Sequence, residues 1–197
     1  MGLFDRIEQA SRRWDVLRHP FYTRWSCGEL TRDELAWYAG EYRHLVVALA
    51  ATAERIGGAR HGAEERAHVN VWDAFAAALG AEVARPPEPE TAACAAAWSP
   101  DDPLEGLAAL YAVESAQPAI SRTKLDGLLT HYGFDEGPAT EYFSIHVLLD
   151  AEHAAESRAA LEREAGEVDA DRLAAAAEDA LRANWVMLDG VERAGPS

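Results

Sequence analysis

Apolar residues recur at helical spacing along nearly the whole chain, and no segment alternates in the two-residue rhythm of a half-buried strand. Phe4, Ile7, Trp14 and Leu17 share one face of a first helix expected over 3–18. His19-Pro20 ends it, because the residue before a proline is pushed out of the α region. A short turn of helix is expected at 21–27, closing at Gly28. The next helix opens on Thr31-Arg-Asp-Glu34, a capping box that satisfies free amides, and runs to Ile56 before Gly57-Gly58. Further helices fall at about 62–80, 104–131, 138–166 and 169–192, with Gly80, Gly133, Gly137 and Gly166 as punctuation. Between 81 and 103, Pro86, Pro87, Pro89, Pro100 and Pro103 interrupt a connector that leaves room for one short Ala-rich helix at 91–98. The 197 residues therefore read as one all-α domain, a single helical bundle of six to eight helices.

Charge narrows the partners. The chain carries 34 acidic against 18 basic side chains, a formal net charge of −16, which disfavours nucleic acid because phosphate binding needs a cationic face. Residues 1–60 are nearly balanced, with 9 basic and 8 acidic groups, whereas 61–197 hold 9 and 26. Most of that excess is expected on solvated helix surface. The most apolar stretch, Leu45–Ala53, is far short of the roughly 20 residues of a membrane span. The start, MGLFDRIEQASRRWD, lacks the apolar region of a secretory signal, and Gly2 lacks the Ser or Thr of a myristoylation motif. Cys27 and Cys94 stand alone and are expected to be buried hydrophobes in a reduced, cytoplasmic protein. Of the 18 basic residues 17 are Arg, and Lys124 is the one lysine.

Chemistry concentrates in His146-x3-Asp150-x2-His153. Spacings of i, i+4 and i+7 place two imidazoles and a carboxylate in one helical stripe, flanked by Ile145, Leu149 and Ala154, which suits a borderline divalent metal. A bundle completes such a site from other helices. Glu114 has Leu110 and Pro118 at i−4 and i+4, so its carboxylate points inward, where a metal is a natural partner. Pro118, inside the helical pattern, is expected to kink that helix. Glu65-x2-His68 is the third source, with His68 continuing a core stripe through Trp72, Phe75 and Leu79; Glu64 and His61 share that side. Glu41-x2-His44 competes, since paired Glu-x2-His motifs are the hallmark of ferritin-like carboxylate sites. Spacing alone does not choose among Glu65, Glu64, His61 and Glu41.

At these residues the chain resembles the heme-oxygenase-like helical proteins, a superfamily that includes thiaminase II (TenA), the PqqC oxidases and the heme-oxygenase-like dimetal oxidases. The resemblance begins at HPFYTRWSCGELTRDELAWYAGEYRHLVVAL, continues through HVNVWDAFAAALG and ends near ANWVMLDGV. Glu114, about 30 residues before His146-x3-Asp150-x2-His153, with an earlier Glu/His pair, is similar to the dimetal oxidases' six-ligand set. The resemblance carries that set onto Glu65, His68, Glu114, His146, Asp150 and His153. In some members the first Glu stands seven residues before its His; here that position holds His61, so the Glu-x2-His variant is assumed. Thiaminase would place a cysteine near YAVES, where Glu114 and Ser115 stand, and His19 is poorly placed to ligate haem.

The resemblance implies an oxidase or oxygenase that activates O2 at two Fe(II), with Mn an alternative at one position, and acts biosynthetically on a small molecule. It also implies a homodimer. Lys124, ten residues after Glu114, matches a functional lysine of CADD-type para-aminobenzoate synthases, and lysine is the cation whose pKa moves readily. The bland alternative pairs it with Asp126 or a helix end. Tyr22, Tyr38, Tyr42 and Tyr111 are candidate redox-active or substrate-contacting aromatics, though such rings are commonly core filler. A non-catalytic metal-binding bundle is the rival class.

Overall fold

The computed structural model describes residues 2–56, 58–165 and 169–196. Among them the chain forms eight α-helices and one 3-10 turn: α1 Leu3–Arg13, the turn Val16–Arg18, α2 Pro20–Cys27, α3 Arg32–Ile56, α4 Ala59–Leu79, α5 Pro89–Trp98, α6 Pro103–His131, α7 Glu141–Glu164 and α8 Ala170–Ala194. No strand occurs among the described residues. The expected breaks at Gly57 and Gly166 lie outside them.

Local chemistry accounts for most boundaries. Thr31 Oγ1 accepts from the Glu34 amide at 3.2 Å while Glu34 Oε2 accepts from the Thr31 amide at 2.7 Å, the reciprocal cap expected for α3. Asp102 Oδ1 accepts from the Leu104 and Glu105 amides, and Pro103 occupies the first turn of α6, where its missing N–H costs nothing. Gly80 ends α4 with φ 76°, a left-handed conformation that only glycine adopts without strain. The first helix stops earlier than its periodicity predicts. Asp15 Oδ1 accepts from the Leu17 amide at 3.1 Å, a local side-chain bond that competes with the helix and hands the chain to the 3-10 turn at Val16. Cys94 is buried as expected, but Cys27 is exposed, because it lies in the last turn of α2 rather than on its packed face.

Two apolar clusters hold the bundle together. The larger joins α2, α3, α4, α5, α6, α7 and α8 around Trp25, Tyr38, Tyr42, Trp72, Phe75 and Phe143; the smaller joins α1, α6, α7 and α8 around Ile7, Leu107, Leu161, Leu173 and Leu181. The helices α3 and α4 pack side by side, as do α6 and α7, so the inward stripes of α4, α6 and α7 face one another.

Gly62 sets how closely α4 approaches α3. A Cβ there would lie 2.6 Å from Glu54 Cα and 3.0 Å from its backbone nitrogen. Backbone atoms cannot rotate aside, so Gly62→Ala is expected to destabilise by about 1–3 kcal/mol. That outweighs the roughly 1 kcal/mol alanine gains in helix propensity. Urea denaturation checks the sign: a more stable variant would show that the two helices slide apart freely.

Candidate metal centre

Seven side chains from three helices meet in the interior. From α4 come His61, Glu65 and His68, at spacings of four and three; from α6 comes Glu114; from α7 come His146, Asp150 and His153. All are buried, none more than 5% exposed. Three groupings have donor atoms within 4.8 Å of one another: His61 with Glu114 and His153; Glu65 with His68 and His146; and Glu65 with Asp150 and His153. Two lobes thus share a middle formed by Glu65 and Asp150.

The polar atoms of this cluster are poorly satisfied by protein alone. His61 Nε2 and Glu114 Oε1 approach to 2.8 Å, yet neither makes a hydrogen bond of acceptable angle. His146 Nε2, Asp150 Oδ2 and His153 Nδ1 are also buried without a hydrogen-bond partner. Such orphaned atoms are rare in native interiors. Their own outer neighbours, by contrast, are fixed. His146 Nδ1 lies 2.6 Å from the Tyr142 carbonyl, His153 Nε2 lies 3.0 Å from Glu64 Oε2, and Ser157 Oγ donates to Glu114 Oε2 at 3.0 Å. Each contact leaves the side chain's other donor atom turned into the cluster, as outer partners do for metal ligands.

The charge balance points the same way. Burial, with the charges of Glu65 and Glu114, pushes the Asp150 carboxyl up to about 9. Burial also raises Glu114, partly offset by His61. Burial opposes ionisation of Glu65 as well, but the neighbouring imidazoles of His153 and His68 hold its carboxyl below the usual range. Burial and the nearby His68 lower His146 to about 4. His153 is raised to about 9, the pull of Glu65 and Glu64 exceeding the cost of burial. A carboxyl whose ionisation is opposed first by burial and then by two neighbouring carboxyl groups is one that a divalent cation would stabilise in its charged form. The residues present therefore fit a metal group on chemistry alone.

The six residues expected from sequence are all brought together. The competing motif is not part of the cluster. Glu41 accepts from Arg85 at 2.6 Å, from the Glu88 amide at 3.0 Å and from Thr91 Oγ1, while His44 Nε2 lies 3.1 Å from the Arg85 carbonyl. Glu64 is a third exposed and bonds the outer nitrogen of His153 and Arg60, outside the lobes. His61 joins the cluster beyond the six. Its signal was its place four before Glu65 and seven before His68, on the stripe that leads to Trp72. Ser157 was missed, although it extends the α7 stripe four residues past His153. Pro118 lies in continuous helix, and its missing N–H leaves the Glu114 carbonyl without its usual helical partner.

Lys124 is 1% exposed in a box of rings. Its Nζ lies 4.1 Å from the Tyr42 ring centre, 5.3 Å from Tyr38, 5.6 Å from Trp72 and 5.7 Å from Tyr22 and Phe143. Burial lowers its pKa well below the ordinary lysine value. Asp126, proposed as its partner, is exposed and makes no ion pair with it. Three of the four candidate tyrosines, Tyr22, Tyr38 and Tyr42, wall this box; Tyr111 packs edge-on against Phe4 at the surface of α6. His19 caps α2 through its Nδ1 and holds Asp189 through Nε2, so it has no free face for haem.

Comparison with known proteins adds the rest. The sequence model of a family described as iron-containing redox enzymes matches residues 33–185. A 4-aminobenzoate synthase from Nitrosomonas europaea is 35% identical over 94% of this chain and 89% of that protein. Another, from Chlamydia trachomatis serovar D, is 31% identical over 96% and 91%. Among solved structures, a heme-oxygenase-like domain of unknown function from Shewanella denitrificans superposes with a TM-score of 0.79 at 21% identity, covering 98% of this chain and 93% of that one. A TenA homologue from Pseudomonas syringae pv. tomato gives 0.79 at 18%, covering 97% and 91%. Both structures share the fold. No helix among the described residues is long and apolar enough to cross a membrane.

Proposed function

This chain belongs to the iron-containing redox enzyme family, and on that premise we propose that its buried cluster holds two Fe(II) and uses O2 to form 4-aminobenzoate. Membership of a family of redox enzymes sets aside the non-catalytic bundle. The observation that carries the proposal is the set of seven buried donors on α4, α6 and α7, five of which have a buried atom with no protein partner. Glu65, His68 and His146 would hold one metal, and His61, Glu114 and His153 the other, with Asp150 and Glu65 between them. Bound ferrous iron supplies the electrons that reduce dioxygen.

The chain's own residues shape the rest. Glu64, Ser157 and the Tyr142 carbonyl fix three ligand orientations before any metal arrives. Burial excludes water and strengthens each electrostatic interaction inside the cluster. The specific product is favoured by Lys124. Burial lowers its pKa and so favours the free amine at Nζ, among rings that give it no carboxylate partner. The relatives named 4-aminobenzoate synthase support this assignment. A small-molecule substrate and a homodimeric assembly belong to the same proposal.

The test is a paired measurement of iron content and of 4-aminobenzoate, by mass spectrometry, in iron-loaded protein exposed to air with and without an added small-molecule cell extract to supply the carbon skeleton and the amino nitrogen. Lys124→Met, which keeps the length of the side chain without the amine, and Lys124→Arg are both expected to retain iron and lose the product. Product formation at wild-type rates in both variants would contradict a role for the amine.

A further inference from the structure

We propose that the surface cleft bounded by the end of α3, the start of α4, α6 and α7 is the entry port for a hydrated divalent cation, delivered to the His61 side of the buried cluster. This rests on the reading above that the cluster holds iron.

The cleft and the cluster share residues. His61 lines the cleft and is also a cluster donor, its Nε2 lying 2.8 Å from Glu114 Oε1. Ser157 lines it too, and its hydroxyl donates to the other oxygen of the same carboxylate at 3.0 Å. Two walls of one cleft thus touch one cluster carboxylate, and a single layer of side chains separates the cleft from this lobe. Behind that layer, His61 Nε2 and Glu114 Oε1 have no hydrogen-bond partner to give up to an arriving ion. His61, as the shared wall, is the side chain that swings to let the ion pass. The opposite lobe is covered by rings instead. Tyr142 stacks on His146 with ring centres 3.9 Å apart, and it meets Trp72 and His68 edge-on. An ion bound first at His61, Glu114 and His153 reaches that lobe through Glu65 and Asp150, which group with His153.

Size and charge fit a cation that still carries its water. The cleft encloses about 380 Å³. The six waters of an octahedral hydrated ion take about 180 Å³, at about 30 Å³ each. Glu156 and Glu164 line the cleft against one cation, Arg163. Beside it, Arg60 is shared among Glu64, Glu152 and Glu156, so acids stay in excess around the mouth. A cleft lined by one sign of charge raises the local concentration of the opposite ion and speeds its arrival. The same charge opposes an anionic ligand.

The test is the rate of metal uptake. Metal-free full chain is mixed with Fe(II) without oxygen, and the metal still free at set times is captured by a chromogenic chelator. Ala159→Trp, at an exposed position lining the cleft, is expected to slow uptake by roughly 10-fold or more without changing the final iron content. Ala155→Trp, one turn earlier on α7, exposed and outside the cleft, should load at the wild-type rate. Glu164→Lys reverses one charge of the lining at an exposed helix end. It should slow uptake by about 3- to 10-fold at low salt, and the difference should shrink as salt rises. Wild-type rates at low salt in either Ala159→Trp or Glu164→Lys, or equal slowing by Ala155→Trp, would overturn the port and leave the metal reading standing. A wild type that takes up no iron overturns both.

Discussion

A Glu65→Ala chain is expected to lose iron from both lobes of the centre. Glu65, like His153, belongs to two of the three donor groupings, meeting His68 and His146 on one side and Asp150 and His153 on the other. Its carboxylate lies 3.1 Å from His68 Nδ1 and 3.5 Å from His153 Nδ1. Removing it leaves two imidazoles in one lobe and takes away the anion that holds His153 in place in the other. Loss of an outer-shell partner typically costs 10–100-fold in metal affinity, so loss of this shared donor should exceed roughly 100-fold. Glu65→Gln, which keeps the size, guards against collapse of the site and should bind iron only slightly better. Glu41→Gln is the matched control. It removes an equally buried carboxylate from the competing Glu-x2-His motif, and it should cost stability through Arg85 and Thr91 while leaving iron content unchanged. Iron measured on desalted protein distinguishes them, and equal losses from the Glu65 and Glu41 variants would contradict the assignment.

The second large effect is on stability. Trp72 is fully buried, donates from Nε1 to the Ala39 carbonyl at 2.9 Å, and packs against Tyr42, Phe75, Tyr142 and Phe143. It lies one turn after His68 and forms one wall of the Lys124 box. Trp72→Ala leaves a cavity that rigid helices cannot close, at a cost of about 3–5 kcal/mol. In a domain whose total stability is roughly 5–15 kcal/mol, that is a large share. Thermal unfolding should fall by roughly 6–20 °C at 2–4 °C per kcal/mol for a chain of this size. Trp72→Phe, which retains the ring but not the hydrogen bond, should fall by less. A shift below 2 °C for Trp72→Ala would show that the ring is not part of the structural core.

Much of this was legible in the sequence for identifiable reasons. Helix boundaries set by backbone chemistry, such as the Thr31–Glu34 box and the Gly80 stop, depend on residues a few positions apart, and periodicity places them well. The break at Asp15 was missed because a side-chain bond to Leu17 overrides an apolar pattern that continues through it. The inward aim of Glu114 and of the α7 stripe followed from the apolar residues around them. The choice between Glu65 and Glu41 did not, since both are buried carboxylates three residues before a histidine. What separates them is tertiary: Arg85 comes from the connector to neutralise Glu41 and Thr91 of α5 donates a hydrogen bond to it, whereas the only basic groups beside Glu65 are histidines. His61 stood among the alternatives to Glu65, and spacing gave no reason to count both; Ser157 was missed because it lies on a stripe already assigned to other residues.

The centre itself is tested most directly by anomalous scattering at the iron edge from crystals of iron-loaded protein. Two peaks are predicted, one among Glu65, His68 and His146 and one among His61, Glu114 and His153. A map without iron at these side chains, or with a peak at Glu41 and His44, would contradict it.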